Sequence, residues 1–261
     1  MPSYSPAVFQ MGFHLNGTNF LEVPDAPTQR PRRVTVAAWV QFEDMDTRGA
    51  ATPGLQYLVF KRRPEGRGFE GYTLVKDRLT GTDRLKFVVA SGSGPQNQVV
   101  VTSTTEVVPG RFYFVVGTHD GQNARLFVDG ALEATQPAPF LLDYARTPLC
   151  FGSSRQSYDG RLSGILDEVM IFDRALDPDE IWSLWEERNA QPSLEGSAST
   201  GVPVISWSAV GESPVLEYRE QFDVGRWEPL TALAPRREMF RWQVADDRGR
   251  PQGFYRLSAP E

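Results

Sequence analysis

The sequence contains the stretch GILDEVMIFDRALDPDEIWSLW at residues 164–185. Residues 164–172 are apolar except for Asp167 and Glu168, and their period-two pattern predicts a strand that is buried on both faces. Strict alternation along this strand places Asp167 and Glu168 on opposite faces. We therefore expect a central strand of a β-rich fold here.

A helix is predicted directly after this strand. Asp177 lies before Pro178 and three residues before Glu180, which is the spacing of a capping box. Leu176 and Ile181 occupy the positions of a hydrophobic staple around the same cap. The sequence therefore predicts a short helix that folds back onto the preceding strand.

This strand and helix resemble the closing elements of laminin-G-like, concanavalin A-like domains, which are common in extracellular proteins of bacteria. Three earlier stretches resemble the same family in the same order: GFHLNGTNFLEVPDA (12–26), RVTVAAWVQF (33–42) and RFYFVVGTHDGQNARLFVDGAL (111–132). The resemblance implies an all-β fold, an antiparallel jelly-roll sandwich over residues 9–190 with one short C-terminal helix. It implies little about function, because this fold serves many unrelated tasks.

The remaining sequence predicts a tail, a linker and a second module. Residues 1–8 are interpreted as a tail before a first strand at 9–15. Residues 191–201 are small and polar without apolar periodicity, which predicts a linker. Residues 202–261 contain five short alternating segments and are predicted to form a small all-β module, which resembles a truncated fibronectin-III-like unit.

Composition excludes some classes of partner. The chain of 261 residues has a formal net charge of -6, and this argues against a nucleic-acid surface. Its apolar runs are the length of strands, so no membrane insertion is expected. Cys150 is the single cysteine and cannot form an internal disulfide.

Export is left open by the sequence. The first residues show no signal peptide, whereas the resemblance implies an extracellular or cell-surface protein. The chain is then either part of a longer exported protein or not exported by that route.

Catalysis is not predicted. Sandwich glycosidases of related fold carry a Glu-x-Asp-x-x-Glu run, which this chain lacks, and Asp167 and Glu168 are expected on opposite faces. Neither His14 nor His119 has zinc-ligand spacing, and no G-x-S-x-G motif occurs. A glycoside hydrolase would need a carboxylate pair in a cleft.

A calcium site is implied by the resemblance. In similar domains the turn after the first strand lies beside the closing strand, and Ca²⁺ is often held between them by oxygen ligands. Asp167 would then supply a carboxylate, and Asn16, Gly17 and Asn19 would supply amide or carbonyl oxygens. Many relatives have Asp at the position of Asn16.

The sequence also suggests a ligand surface. Tyr144 and Tyr158 lie in predicted loops, where an exposed ring could stack on a sugar, and Arg155 accompanies Tyr158. We therefore expect a non-catalytic recognition or adhesion protein that binds a glycan or a surface protein. The alternative is a structural part of a larger assembly, such as a virion, a tail or a surface layer, that binds protein neighbours.

Overall fold

The computed structural model describes residues 3–7, 11–47, 52–63, 70–92, 97–155, 160–189, 193–196, 203–208, 215–219, 226–230, 236–238, 241–245 and 254–258. The chain divides into two compact units, Met1–Ser183 and Leu184–Glu261. Both are built from antiparallel strands, which confirms the predicted all-β class. No helix among the described residues is long and apolar enough to cross a membrane.

The first unit contains thirteen strands in its described residues and the start of one α-helix. In chain order these elements are β1 (Ser3–Pro6), β2 (Met11–Asn16), β3 (Leu21–Val23), β4 (Val34–Phe42), β5 (Gln56–Arg62), β6 (Gly71–Asp77), β7 (Arg84–Ala90), β8 (Gln98–Glu106), β9 (Phe112–His119), β10 (Asn123–Val128), β11 (Ala131–Pro137), β12 (Leu149–Phe151), β13 (Ser163–Phe172) and α1 (Pro178–Asn189).

These strands form two sheets that pack face to face. The first sheet has the order β1-β2-β13-β4-β9-β10-β11, and the second has the order β3-β12-β5-β6-β7-β8. The closing strand β13 lies between β2 and β4, so it is interior to the first sheet, as its apolar pattern predicts.

The core lies between the sheets and is made of alternate residues from both. Val36 and Val115 of the first sheet and Leu74 and Phe87 of the second are fully buried in one cluster. A Cβ atom at Gly117 would lie 2.2 Å from the Phe87 ring, so the strand can approach the ring only with glycine at this position.

Three lysines of this unit are buried, Lys61, Lys76 and Lys86, and Lys86 pairs with Asp77 at 2.6 Å. The Lys61 ammonium donates to Asp25 Oδ1 at 2.7 Å, to Gln29 Oε1 at 3.2 Å and to the Thr147 carbonyl at 2.5 Å. Lys76 is equally buried and is paired with Asp83. Each buried charge therefore has an acidic partner, as a low-dielectric interior requires.

A glutamate side chain links the two sheets along one flank of the sandwich. Glu133 of β11 accepts hydrogen bonds from the backbone N–H groups of Thr104, at 2.7 Å, and Thr105, at 3.0 Å. Both threonines lie in β8, the last strand of the second sheet. Glu133 therefore joins the two sheets and occupies donors that an exposed sheet edge would leave free.

The first strand corrects the prediction of a tail. Residues 3–6 form β1, which pairs with β2 in the register Ser3 to His14. Ring contact between Tyr4 and Phe13, with centroids 5.2 Å apart, accompanies the pairing. This segment has too few apolar residues to indicate a strand, and its pairing depends on the exposed edge of β2.

The start of α1 confirms the predicted capping box. Asp177 Oδ1 accepts the Glu180 N–H at 2.9 Å, and Glu180 Oε2 accepts the Asp177 N–H at 3.0 Å. Leu176 and Ile181 are both buried, as expected for a staple. The helix therefore begins where the sequence predicts.

The second unit contains two small sheets in its described residues. Their strands are β14 (Ser193–Gly196), β15 (Pro203–Ser208), β16 (Val215–Arg219), β17 (Glu228–Pro229), β18 (Arg236–Glu238), β19 (Arg241–Ala245) and β20 (Phe254–Ser258). One sheet has the order β14-β15-β19-β18 and the other β17-β16-β20. The predicted linker at 191–201 therefore includes a strand, β14.

Candidate functional site

The closing strand contains a bulge at its two acidic residues. Asp167 is paired with Trp39 and Met170 with Ala37, so two residues of β13 face one residue of β4. Glu168 lies in the bulge with φ 47°, a left-handed conformation that is unusual for a residue other than glycine. The bulge shifts the alternation, because Leu166 and Val169 both pack in the core between the sheets.

A cavity of about 450 Å³ lies beside this bulge. It is bounded by β2 and β13 of the first sheet and by β3 and β12 of the second. Its lining combines apolar and aromatic side chains with three carboxylates: Gly12, Phe13, Leu21, Glu22, Val23, Phe151, Leu166, Asp167, Glu168 and Val169. Asp167 is 8% exposed, whereas Glu22 is exposed at the surface.

Asp167 and Glu168 both line the larger cavity, as do their neighbours Leu166 and Val169. The register shift between Asp167 and Met170 interrupts the strict alternation from which opposite faces were predicted for the two acids.

A second cavity of about 240 Å³ shares the walls Phe13 and Leu21 with the first. It adds polar groups to the same flank of the sandwich, and its lining is Ser3, Phe13, His14, Leu15, Asn19, Phe20 and Leu21. We refer to the two cavities together, with the lining residues given above, as the edge groove. This flank is opposite the one that Glu133 fastens.

Arg155 lies at the rim of the edge groove. Its Nε is 3.0 Å from Glu22 Oε2, and both side chains are partly exposed. The backbone N–H of Arg155 donates to Ser153 Oγ at 2.9 Å, and the residue has φ 62°. This predicted ligand residue therefore contacts a carboxylate of the groove wall.

The residues proposed for calcium are not brought to one point. Asn16 is paired with Ser163, and Asp167 lies four residues further along β13, or about 13 Å at the rise of an extended strand. Asn19 lines the smaller cavity and Asp167 the larger. No group of three or more His, Cys, Asp or Glu side chains suited to a metal occurs among the described residues.

The polar groups of the predicted turn at residues 16–19 are already hydrogen-bonded, mostly to one another. Asn16 Oδ1 accepts from the backbone N–H groups of Thr18, at 3.1 Å, and Asn19, at 3.2 Å, while Asn19 Oδ1 accepts the Asn16 N–H at 2.8 Å. The Gly17 N–H donates to the Leu162 carbonyl at 2.9 Å. The four residues therefore do not fit a single calcium ion, and calcium stays a prediction.

Tyr144 lies away from the edge groove. Its hydroxyl donates to the Pro31 carbonyl at 2.6 Å, and its ring meets Tyr72 edge-on with centroids 6.0 Å apart. Burial raises the pKa of Tyr144 above its usual value. The ring packs against the core, so it is not placed as an exposed sugar platform; Tyr158 lies outside the described residues.

Sequence reasoning missed most of the groove. Phe13, Glu22 and Phe151 come from three strands that meet only through long-range pairing, such as Cys150 of β12 with Glu22 of β3. The adjacent acids Asp167 and Glu168 in an otherwise apolar strand were the available signal.

The chain matches one family model. The model described as the concanavalin A-like lectin/glucanases superfamily matches residues 15–182, which is more than half of the chain. A search of curated proteins found no match.

Several solved structures have a similar fold. Domain 4 of AbnA, an extracellular arabinanase from Geobacillus stearothermophilus, in complex with arabinotriose, is 16% identical with a TM-score of 0.54, over 70% of this chain and 81% of that chain. A heptameric pentraxin from Limulus polyphemus is 14% identical with a TM-score of 0.51, over 66% and 80%. The binding domain of Paraclostridial Mosquitocidal Protein 1 is 9% identical with a TM-score of 0.58, over 90% and 68%. At these identities the likeness shows the fold alone.

Proposed function

Since the chain belongs to the concanavalin A-like lectin/glucanase superfamily, we propose that it is a non-catalytic recognition protein whose edge groove binds a glycan. The observation that carries this proposal is the lining of the larger cavity. It combines the aromatic rings of Phe13 and Phe151 with the carboxylates of Glu22, Asp167 and Glu168.

This combination suits a sugar. Carboxylate oxygens accept hydrogen bonds from hydroxyl groups, and ring faces cover the apolar C–H surface of a pyranose. The larger cavity, at about 450 Å³, is within the range of small-molecule sites, which runs from about 300 to 1,000 Å³. Relatives of similar fold support a binding role, since one was solved with arabinotriose and another is the binding domain of Paraclostridial Mosquitocidal Protein 1.

The test is a glycan array on purified protein, with variants on both flanks of the sandwich. Glu168→Gln alters the groove, while Glu106→Gln removes an exposed carboxylate from β8 on the opposite flank. We expect reproducible binding to one glycan class, lost in Glu168→Gln and kept in Glu106→Gln. A blank array from folded protein, or equal loss in both variants, would contradict the proposal.

A hydrolase is the second candidate, because Asp167 and Glu168 line one cavity. A glycosidase needs two carboxyl groups about 5–9.5 Å apart on either side of the scissile bond. Bound oligosaccharides should therefore be incubated with the protein and analysed for shorter products. Intact oligosaccharide after prolonged incubation is the expected result, and product that disappears in Asp167→Asn would establish catalysis.

We also propose that recognition takes place at the surface of a bacterial cell, and that the second unit is fibronectin-III-like. Its sheets of four and three described strands support this comparison. Fractionation of the source cells tests the location, and an experimental structure of the whole chain tests the topology of the second unit. Recovery of the protein only from the cytosol would contradict the first proposal.

A further inference from the structure

We propose that protonation of His119 releases residues 138–144, which we call the strap, from the sandwich. The structure describes the whole strap, and none of its residues lies in a helix or a strand. Ala138 and Leu142 are buried in the core between the sheets, and Phe140 packs against it. The strap is therefore an irregular segment that contributes apolar side chains to the core.

The backbone of the strap is attached at separate points. The Ala138 N–H donates to the Gln122 carbonyl at 2.7 Å, and the Leu142 N–H donates to the Arg32 carbonyl at 3.1 Å. These bonds do not belong to a strand ladder, so the strap can open while both sheets stay paired.

His119, the last residue of β9, connects the sandwich to the strap. Its imidazole is fully buried, with Nε2 at 3.2 Å from the Ala138 carbonyl oxygen and the ring stacked on Phe140 at a centroid distance of 5.2 Å. Both strap residues are uncharged. Because a carbonyl oxygen only accepts, Nε2 carries the hydrogen of the neutral imidazole. The other nitrogen, Nδ1, is buried and has no hydrogen-bond partner among the described residues.

A second proton on this ring is unfavourable while the strap is closed. It would place a positively charged N–H at Nδ1, where no described group accepts it. Burial lowers the pKa of His119 below its usual value. The charges of Asp120 and Arg33 act on this pKa in opposite directions, and Asp120 also accepts a hydrogen bond from Arg125 of β10 at 2.7 Å. Water can hydrate the imidazolium once the strap is open, so acid favours the open form.

The direction of the pH dependence follows from these two states. The pKa of His119 is lower with the strap closed than with it open, where the ordinary histidine value of about 6.5 applies. The closed strap is therefore most stable above about pH 6.5 and loses stability as the pH falls below it. Linkage to one proton raises the opening constant by about tenfold per pH unit in that range.

Amide hydrogen exchange measures this opening directly. Data at about pH 7.5 and about pH 5.5, corrected for intrinsic exchange rates, should show about tenfold lower protection of the Ala138 and Leu142 amides at the lower pH. The amides of β7, which lies inside the second sheet, should change by less than about twofold.

Two matched variants assign the effect to one histidine. His119→Gln keeps a donor for the Ala138 carbonyl but cannot take up a proton near neutral pH, so strap protection should no longer depend on pH. The chain has two histidines, and the other, His14, is partly exposed with Nε2 at 3.0 Å from Glu43 Oε2. His14→Gln should keep the tenfold fall in protection. Thermal unfolding checks that each variant is folded.

Nuclear magnetic resonance titration of the His119 ring protons tests the same idea in the unchanged protein. The ring should titrate below the ordinary histidine value of about 6.5, and titration at or above that value would overturn the proposal. Strap protection that is equal at the two pH values would also overturn it. So would a fall that survives His119→Gln, a fall that is lost in His14→Gln, or an equal fall in β7.

Discussion

Replacement of Glu168 by glycine should leave the protein more stable than replacement by alanine, and both changes should weaken glycan binding. Glu168 has φ 47° within the bulge of β13. Residues with a Cβ lose roughly 1–2 kcal/mol in the left-handed region, where glycine has no such penalty. Glycine loses more chain entropy on folding, about 0.4–1 kcal/mol, so we expect a net gain of about 0.5–1 kcal/mol.

The comparison that isolates the backbone is Glu168→Gly against Glu168→Ala. Both lack the carboxylate, and only alanine keeps the Cβ. For a domain of this size about 1 kcal/mol corresponds to 2–4 °C in Tm, so Glu168→Gly should unfold about 1–4 °C above Glu168→Ala. Thermal unfolding followed by circular dichroism measures the difference.

Binding is measured on the same two variants. Both should lose glycan binding to the same extent, because the carboxylate is absent from both. A Tm for Glu168→Gly that equals or lies below that of Glu168→Ala would refute the assignment of strain to this bulge. Loss of glycan binding in only one variant would refute the role given to the carboxylate.

Other predictions concern charges and metal binding. Lys61→Ala should destabilise the protein in denaturant unfolding, because it removes the three hydrogen bonds of a buried ammonium, including the one to Asp25, and adding Asp25→Asn should recover part of this loss. Full additivity of the two changes would contradict the pairing. Hydrogen bonds from Arg174 and from the Asp177 N–H lower the pKa of Glu180 to about 2. This folded pKa is below the unfolded one, about 4.3, so the stabilisation is present above about pH 4.3 and is lost as pH falls through about 2. Glu180→Gln should flatten the dependence of Tm on pH between about pH 2 and pH 4.3. An unchanged dependence of Tm on pH would contradict the stabilising role of the ionised Glu180. If calcium binds as the resemblance predicts, the Tm should fall in chelator and recover with Ca²⁺. The Tm of Asp167→Asn should then not respond to chelator. An unchanged wild-type Tm in chelator would contradict the calcium prediction.

Much of the fold could be predicted because it is encoded locally. The Asp177 to Glu180 spacing fixes the start of α1, and the Asp-Gly pairs at 120–121 and 129–130 mark the hairpins around β10. Period-two patterns predict β4 and the first half of β13 well: β4 is buried along almost all of its length, and β13 is buried from Ser163 to Asp167 and half-buried after it.

The site could be predicted only in part, because it depends on pairing between distant segments. The bulge at Glu168 changes which residues share a face, and alternation in one strand cannot reveal an extra residue opposite β4. Tyr144 was predicted to lie in a loop as a candidate ligand residue, and Tyr72 and the Pro31 carbonyl hold it against the core. The short strand β3, which supplies Glu22, is recognised as part of a groove only once its pairing with β12 is known.

The hydrogen bonds of Glu133 make the two edges of the sandwich unequal. They link β11 of the first sheet to β8 of the second along one flank. The opposite margin of the second sheet is β3, a strand of three residues that pairs with β12. Amide hydrogens of β3 should consequently exchange faster than those of β7, which lies between β6 and β8.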